Sequence, residues 1–329
     1  ARARGEALDV AVRALGVSLP ENFRIDLYVY PDEDAKVRRT GVTGGVHSVP
    51  GAGELHMTVP YARTPNPHEE IHLVAARVYG PAYSTAVFEG IAVAAEKTYR
   101  DQDLAVHVAV LLDRGRFPTL AELIDEGSVR ALGDRVSFPA SAMLVEWVRA
   151  IGGADALARV HARVWPSLDT LAADLDVPRP ELEPRFRAFV ETRAEAGRDA
   201  VRTMKLLEEA REYQLSGNYR GVAEVLQTIL ETHPDDYQAV FNLASAQMRI
   251  PDYAAAERNL RKVLGAGLPD GDPLNVFGYY QLGRLYDLMG RRDDALEAYR
   301  EVLALPDIHD SHRSAQDAIA TPYTPDRLE

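Results

Sequence analysis

Residues 66–80 read NPHEEIHLVAARVYG. Apolar residues at helical spacing, closed by Gly80-Pro81, predict a helix over 68–79. Two histidines four apart on such a helix are rotated by about 40° and separated by ~6 Å along the axis, so His68 and His72 can meet one ion. Glu69 projects from the adjoining position, where its carboxylate can take a proton from water on that ion. Zinc lowers the pKa of such water to about 7, so a modest base suffices. The pattern His-Glu-x-x-His needs a third ligand to mean more than a pair of surface imidazoles.

That ligand is offered seventeen residues after His72, where Phe88-Glu89-Gly90-Ile91-Ala92 lies in a second helix spanning 84–100. The Gly80-Pro81 turn folds this helix back on the first. Inside the apolar run from Ala86 to Ala95, a buried Glu89 is costly without a partner, and a metal supplies one. A glutamate on a solvated face is the competing reading. The chain has no cysteine, so thiolate sites and disulfides are excluded and only His and carboxylate remain as strong zinc ligands.

On His68, Glu69, His72 and Glu89, the chain resembles the gluzincin metallopeptidases, in which a Glu on an EGxA-like helix completes the motif. The similarity is greatest to the bacterial peptidase-MA-like domains, over about 180 residues from the N-terminal helix through SFPASAMLVEWVRAIGGADALARV to about residue 190. The resemblance implies an α+β, zincin-like fold with a small mixed sheet, a Zn2+ cofactor held by His68, His72 and Glu89, and Glu69 as general base. Two positions depart from it. Val93 stands where thermolysin-like enzymes carry an aspartate that orients a zinc histidine, so another acceptor is needed. Phe138 stands where many relatives have a tyrosine that stabilises the oxyanion, which weakens the case for turnover more than for metal binding.

Upstream, residues 6–16 predict a helix and FRIDLYVY, 23–30, a strand. Runs 46–49 and 54–59 flank Pro50-Gly51-Ala52-Gly53 as a hairpin, with the second run, ELHMTVP, taken as an edge strand that aligns substrate backbone. Asp32-Glu33-Asp34 reads as a solvated loop, and Thr64-Pro65-Asn66-Pro67 as the break into helices. Further helices are predicted at 102–114, 119–125, 139–151 and 153–164. Tyr83 and Tyr99 are oxyanion-donor candidates for which core packing is the blander reading. His47 and His56 on the hairpin read as surface strand residues, and Glu70 and Glu96 as solvent-facing rather than ligand-orienting.

From 164 onward the chain reads as helical, with a domain boundary in the charged stretch 187–204, giving 1–195 and 196–329. Gly217-Asn218-Tyr219 and Pro251-Asp252-Tyr253 are 34 apart, the period of tetratricopeptide repeats. A third copy turns at Gly290, delayed by the inserted loop Pro269–Pro273. Its Leu282-Gly283, Tyr286, Gly290, Ala295 and Tyr299 fall on the small and large positions of that pattern. The first copy carries Leu206, Ala210, Tyr213, Gly217, Tyr219 and Pro234 in register. Three repeats with a capping helix at 310–320 provide a concave surface for a peptide or protein partner.

A formal charge of -13 at 46% hydrophobic and 26% charged residues opposes nucleic acid as a partner, because phosphate binding needs a basic face. No stretch approaches the ~18 apolar residues of a membrane span. Ala1 in place of Met, and Leu328-Glu329 read as a tag remnant, suggest a trimmed chain. With the resemblance, they give an expectation of bacterial secretion or envelope association. Three readings follow: a zinc peptidase acting on a peptide or protein substrate, a zinc-holding scaffold working through its repeats, and a zinc hydrolase for a non-peptide bond.

Overall fold

The computed structural model describes residues 2–64, 66–164 and 166–324. The expectations placed on Ala1, Pro65 and Leu328-Glu329 lie outside these. The described chain forms two compact units divided between Val201 and Arg202, and no helix among the described residues is long and apolar enough to cross a membrane.

In the first unit, α1 (Arg2–Leu15) buries Ala7, Ala11 and Leu15, a stripe at i, i+4 and i+8. Strand β1 (Asp26–Tyr30) follows, then α2 (Glu33–Thr40), β2 (Val46–Val49) and β3 (Glu54–Thr58). The expected loop at 32–34 is instead the start of α2. Asp32 caps it by accepting from the Ala35 amide at 2.7 Å, two acidic residues occupy its first turn, and Gly41 closes it at φ 73°. With a helix between them, β1 and β3 pair in parallel, so the sheet order is β1-β3-β2. ELHMTVP is therefore the central strand, not the edge. The edge beside the helices is β2, antiparallel to β3.

Leu55 and Met57 on one face of β3 are buried against Leu73. That residue belongs to α4 (His68–Tyr79), which follows the short α3 (Val59–Arg63). Then come α5 (Thr85–Glu96), the two-residue strands β4 (Thr98–Tyr99) and β5 (Gln102–Asp103), α6 (Leu104–Asp113), α7 (Leu120–Ile124), α8 (Glu126–Leu132) and α9 (Asp134–His161). The last is one helical run interrupted at Gly153, whose φ of 66° breaks the geometry where two helices are predicted. Helices α4, α5, α6 and α9 bury a single apolar core that includes Ile71, Ile91, Val108 and Trp147. At Gly90, α5 approaches α9 so closely that a Cβ would sit 2.5 Å from the Ser141 carbonyl oxygen. Glycine there is a condition of the packing. Helices α10 (Leu168–Leu175) and α11 (Arg179–Ala194) complete this unit.

In the second unit, α12 (Arg198–Leu215), which crosses the division, is followed by α13 (Tyr219–Thr232), α14 (Tyr237–Arg249), α15 (Tyr253–Leu264), α16 (Pro273–Leu288) and α17 (Arg292–Ala304). These pair as helical hairpins, and α18 (Ser311–Ala320) packs on α16 and α17. A Cβ on Gly283 would lie 2.5 Å from the Tyr299 ring, and one on Gly221 2.8 Å from the Tyr213 ring. The small-against-large pairing read from the sequence is thus what lets the helices close.

Candidate metal centre

The first turn of α4 lacks a capping side chain at Pro67, and Asn66 substitutes, its Oδ1 accepting from the His68 amide at 2.9 Å. This fixes His68 at the start of the helix and His72 one turn on. Ser84 accepts from the Val87 amide to begin α5, and about one and a half turns of helix place Glu89 opposite both imidazoles. His68 Nε2 lies 3.4 Å and His72 Nε2 3.8 Å from Glu89 Oε2. All three ligand atoms lie within 4.8 Å of one another.

Tetrahedral zinc with bonds of about 2.0–2.2 Å needs donors about 3.3–3.5 Å apart. Of the three separations, 3.4 Å already matches and 3.8 Å is a few tenths of an ångström wide, while the third, no more than 4.8 Å, would close by up to about an ångström around an ion. Donor chemistry agrees, since two imidazoles and a carboxylate make a three-ligand set with a further position open.

The surroundings treat the two histidines differently. His68 Nδ1 lies 3.2 Å from Glu96 Oε2, so Glu96 is the acceptor that Val93, buried in the core, cannot be. It does not face solvent as expected. Burial alone would lower the His68 pKa, but hydrogen bonds to the Glu89 and Glu96 carboxylates and the charge of Glu69 together lift it to about 10. His72, with 3% of its side chain exposed, is pushed well down by burial and then by the charges of His68 and His161. Its Nδ1 has no hydrogen-bond partner among the described residues, and its ring stacks on Phe88 with centroids 3.8 Å apart.

Glu69 is held from the edge strand: its Oε2 accepts from the Ser48 amide at 2.8 Å and from the Ser48 hydroxyl at 2.6 Å. Gly45 carbonyl accepts from Thr58, so residues of odd number on β2 turn toward β3 and Ser48 turns its amide outward to the helix. Glu70 is buried and also departs from the solvent-facing expectation. Arg4 of α1 donates to its Oε1 at 2.9 Å and to the carbonyls of Thr64 and Asn66. Burial raises the Glu70 pKa and Arg4 opposes that. These partners are 66 and 28 positions away for Glu70 and Glu96, beyond any local pattern.

The remaining candidates do not converge on the centre. Tyr99 donates to Asp134 at 3.1 Å, Phe138 packs edge-on against Tyr99, and Tyr83 is half exposed. His56 is buried rather than at the surface, stacked between Tyr28 and His47 across the sheet. Burial, with the charges of Lys36 and His56, pushes His47 down to about 4.

Residues 278–307 match the tetratricopeptide-repeat family model. The match covers all but the first five residues of α16 and all of α17, the third copy read from the sequence, and points to protein–protein interaction. No curated protein and no solved structure matches the chain.

Proposed function

We propose that the first unit is a zinc hydrolase centre of gluzincin type acting on peptide bonds, and that the helical repeats engage a peptide or protein partner. The observation that carries this reading is the convergence of His68 Nε2, His72 Nε2 and Glu89 Oε2 beside a positioned Glu69. Zinc, when bound by those three residues, supplies Lewis acidity and a water ionisable near neutral pH. Glu96 orients His68 and fixes which ring nitrogen faces the centre. Phe88 covers one face of His72 and keeps bulk water from it. With its Oε2 held by Ser48, Glu69 has Oε1 as the atom that accepts the proton of attacking water and delivers it to the leaving amine.

A second reading, a zinc-holding scaffold acting through the repeats, is favoured by one observation. Phe138 offers no hydroxyl, and the nearby Tyr99 phenol is engaged with Asp134. Elemental analysis of the purified protein and hydrolysis of a quenched-fluorescent peptide library with added zinc decide between them. Stoichiometric zinc with turnover abolished by Glu69→Gln is expected. Turnover retained in that variant refutes the mechanism, zinc without turnover supports the scaffold, and activity confined to esters identifies a non-peptide hydrolase.

A further inference from the structure

Behind the metal centre, the first unit contains a cavity of about 660 Å³ bounded by the 50–53 turn, the 22–24 segment and α4. Apolar walls come from Phe23, Leu73 and Phe88, and Arg24 and Arg77 stand exposed at its rim. None of its lining residues is acidic, in a chain with 50 Asp and Glu against 37 Lys and Arg. Arg77 makes no ion pair among the described residues.

At the floor lies His161, 1% exposed. It has no hydrogen bond among the described residues, and its Nδ1 is buried without a partner. An imidazole so placed forgoes the hydrogen bonds it makes in water. Burial pushes its pKa down to about 4, so it is a neutral ring with one N–H. A cavity of this size, mostly apolar with a few convergent polar groups, is typical of a small-molecule site. Phe88 both lines it and stacks on His72, so an occupant is separated from the metal ligands by that ring and is not at the reacting centre.

We propose that this cavity binds an apolar carboxylate, with its hydrophobic body against Phe23, Leu73 and Phe88 and its charge at Arg24 and Arg77. Free acids and peptides ending in a hydrophobic residue share that chemistry. The site does not depend on metal or on hydrolysis, so it stands or falls separately from the proposed activity.

Calorimetric titration of the full chain with 3-phenylpropionate tests it, with 3-phenylpropanol as the neutral counterpart and acetyl-Gly-Gly-Phe as free acid and as amide. Saturable one-to-one binding with Kd below about 1 mM is expected. It should weaken at least tenfold for the alcohol and in Arg24→Ala/Arg77→Ala, and be lost in Ala76→Trp, which fills the cavity. Tighter binding of the tripeptide acid than of phenylpropionate assigns the site to peptide C-termini, and the reverse order to free acids. Equal binding of acid and alcohol, no saturable binding, or undiminished binding in the double arginine variant overturns the proposal. Both arginines are exposed, so that variant remains decisive even where Ala76→Trp fails to fold.

Discussion

Loading of the centre should be governed by a proton. With His68 held between Glu89 at 3.4 Å and Glu96 at 3.2 Å, its pKa of about 10 means that the metal-free site carries an imidazolium at neutral pH. Zinc binds the neutral ring, so one proton must leave. At pH 7 the gap is about three pH units, and at about 1.36 kcal/mol each the competition costs on the order of 4 kcal/mol. Zinc affinity should therefore rise close to tenfold per pH unit from about pH 6.5 to 9. The folding contribution runs the opposite way. A raised folded pKa stabilises the metal-free protein fully below about 6.5 and less as pH rises toward 10. Chelator-competition titrations between pH 6 and 9 measure the slope. Calorimetry in buffers of differing ionisation enthalpy counts the released proton. Affinity independent of pH over that range, or binding without proton release at pH 7, would refute the proposed arrangement of His68 between two carboxylates.

Three further outcomes are expected. Glu96→Leu removes the acceptor of His68 Nδ1 and should lower zinc affinity about 10–100-fold once corrected for proton release, whereas Glu70→Gln, which touches Arg4, should lower the melting temperature and leave affinity within about threefold. Gly90→Ala forces α5 from the Ser141 carbonyl and should cost about 1–3 kcal/mol in urea unfolding; an unchanged midpoint would deny the close approach. His161 binds a proton near 6.5 when unfolded but near 4 when folded, so its stability is complete above about pH 6.5 and falls by about 3 kcal/mol toward pH 4. His161→Phe should flatten that limb of the stability profile.

The parts of this architecture that the sequence announces are those encoded locally. His68, His72 and Glu89 sit on two successive helices whose periodicity, glycine-proline break and serine cap lie within thirty residues. Gly283 and Tyr299 likewise belong to one helical hairpin. What escapes is set by pairing across distance. Nothing in ELHMTVP says that β1 lies on its far side, because that follows from α2, an eight-residue helix too polar to show periodicity. Its signal was nevertheless present: an Asp at the cap, acids in the first turn, arginines in the last and a glycine after. Glu70 and Glu96 look like solvent-facing charges until Arg4 and His68 arrive from other helices, and the expectation that Tyr99 packs in the core fails only at its hydroxyl, which finds Asp134.

The grip of Arg4 on Glu70 and on the carbonyls of Thr64 and Asn66 gives α1 a leverage over the segment that leads into α4. Cleavage within its first turn would free the segment that presents His68, and the proposed metal centre would loosen well before the helical content fell.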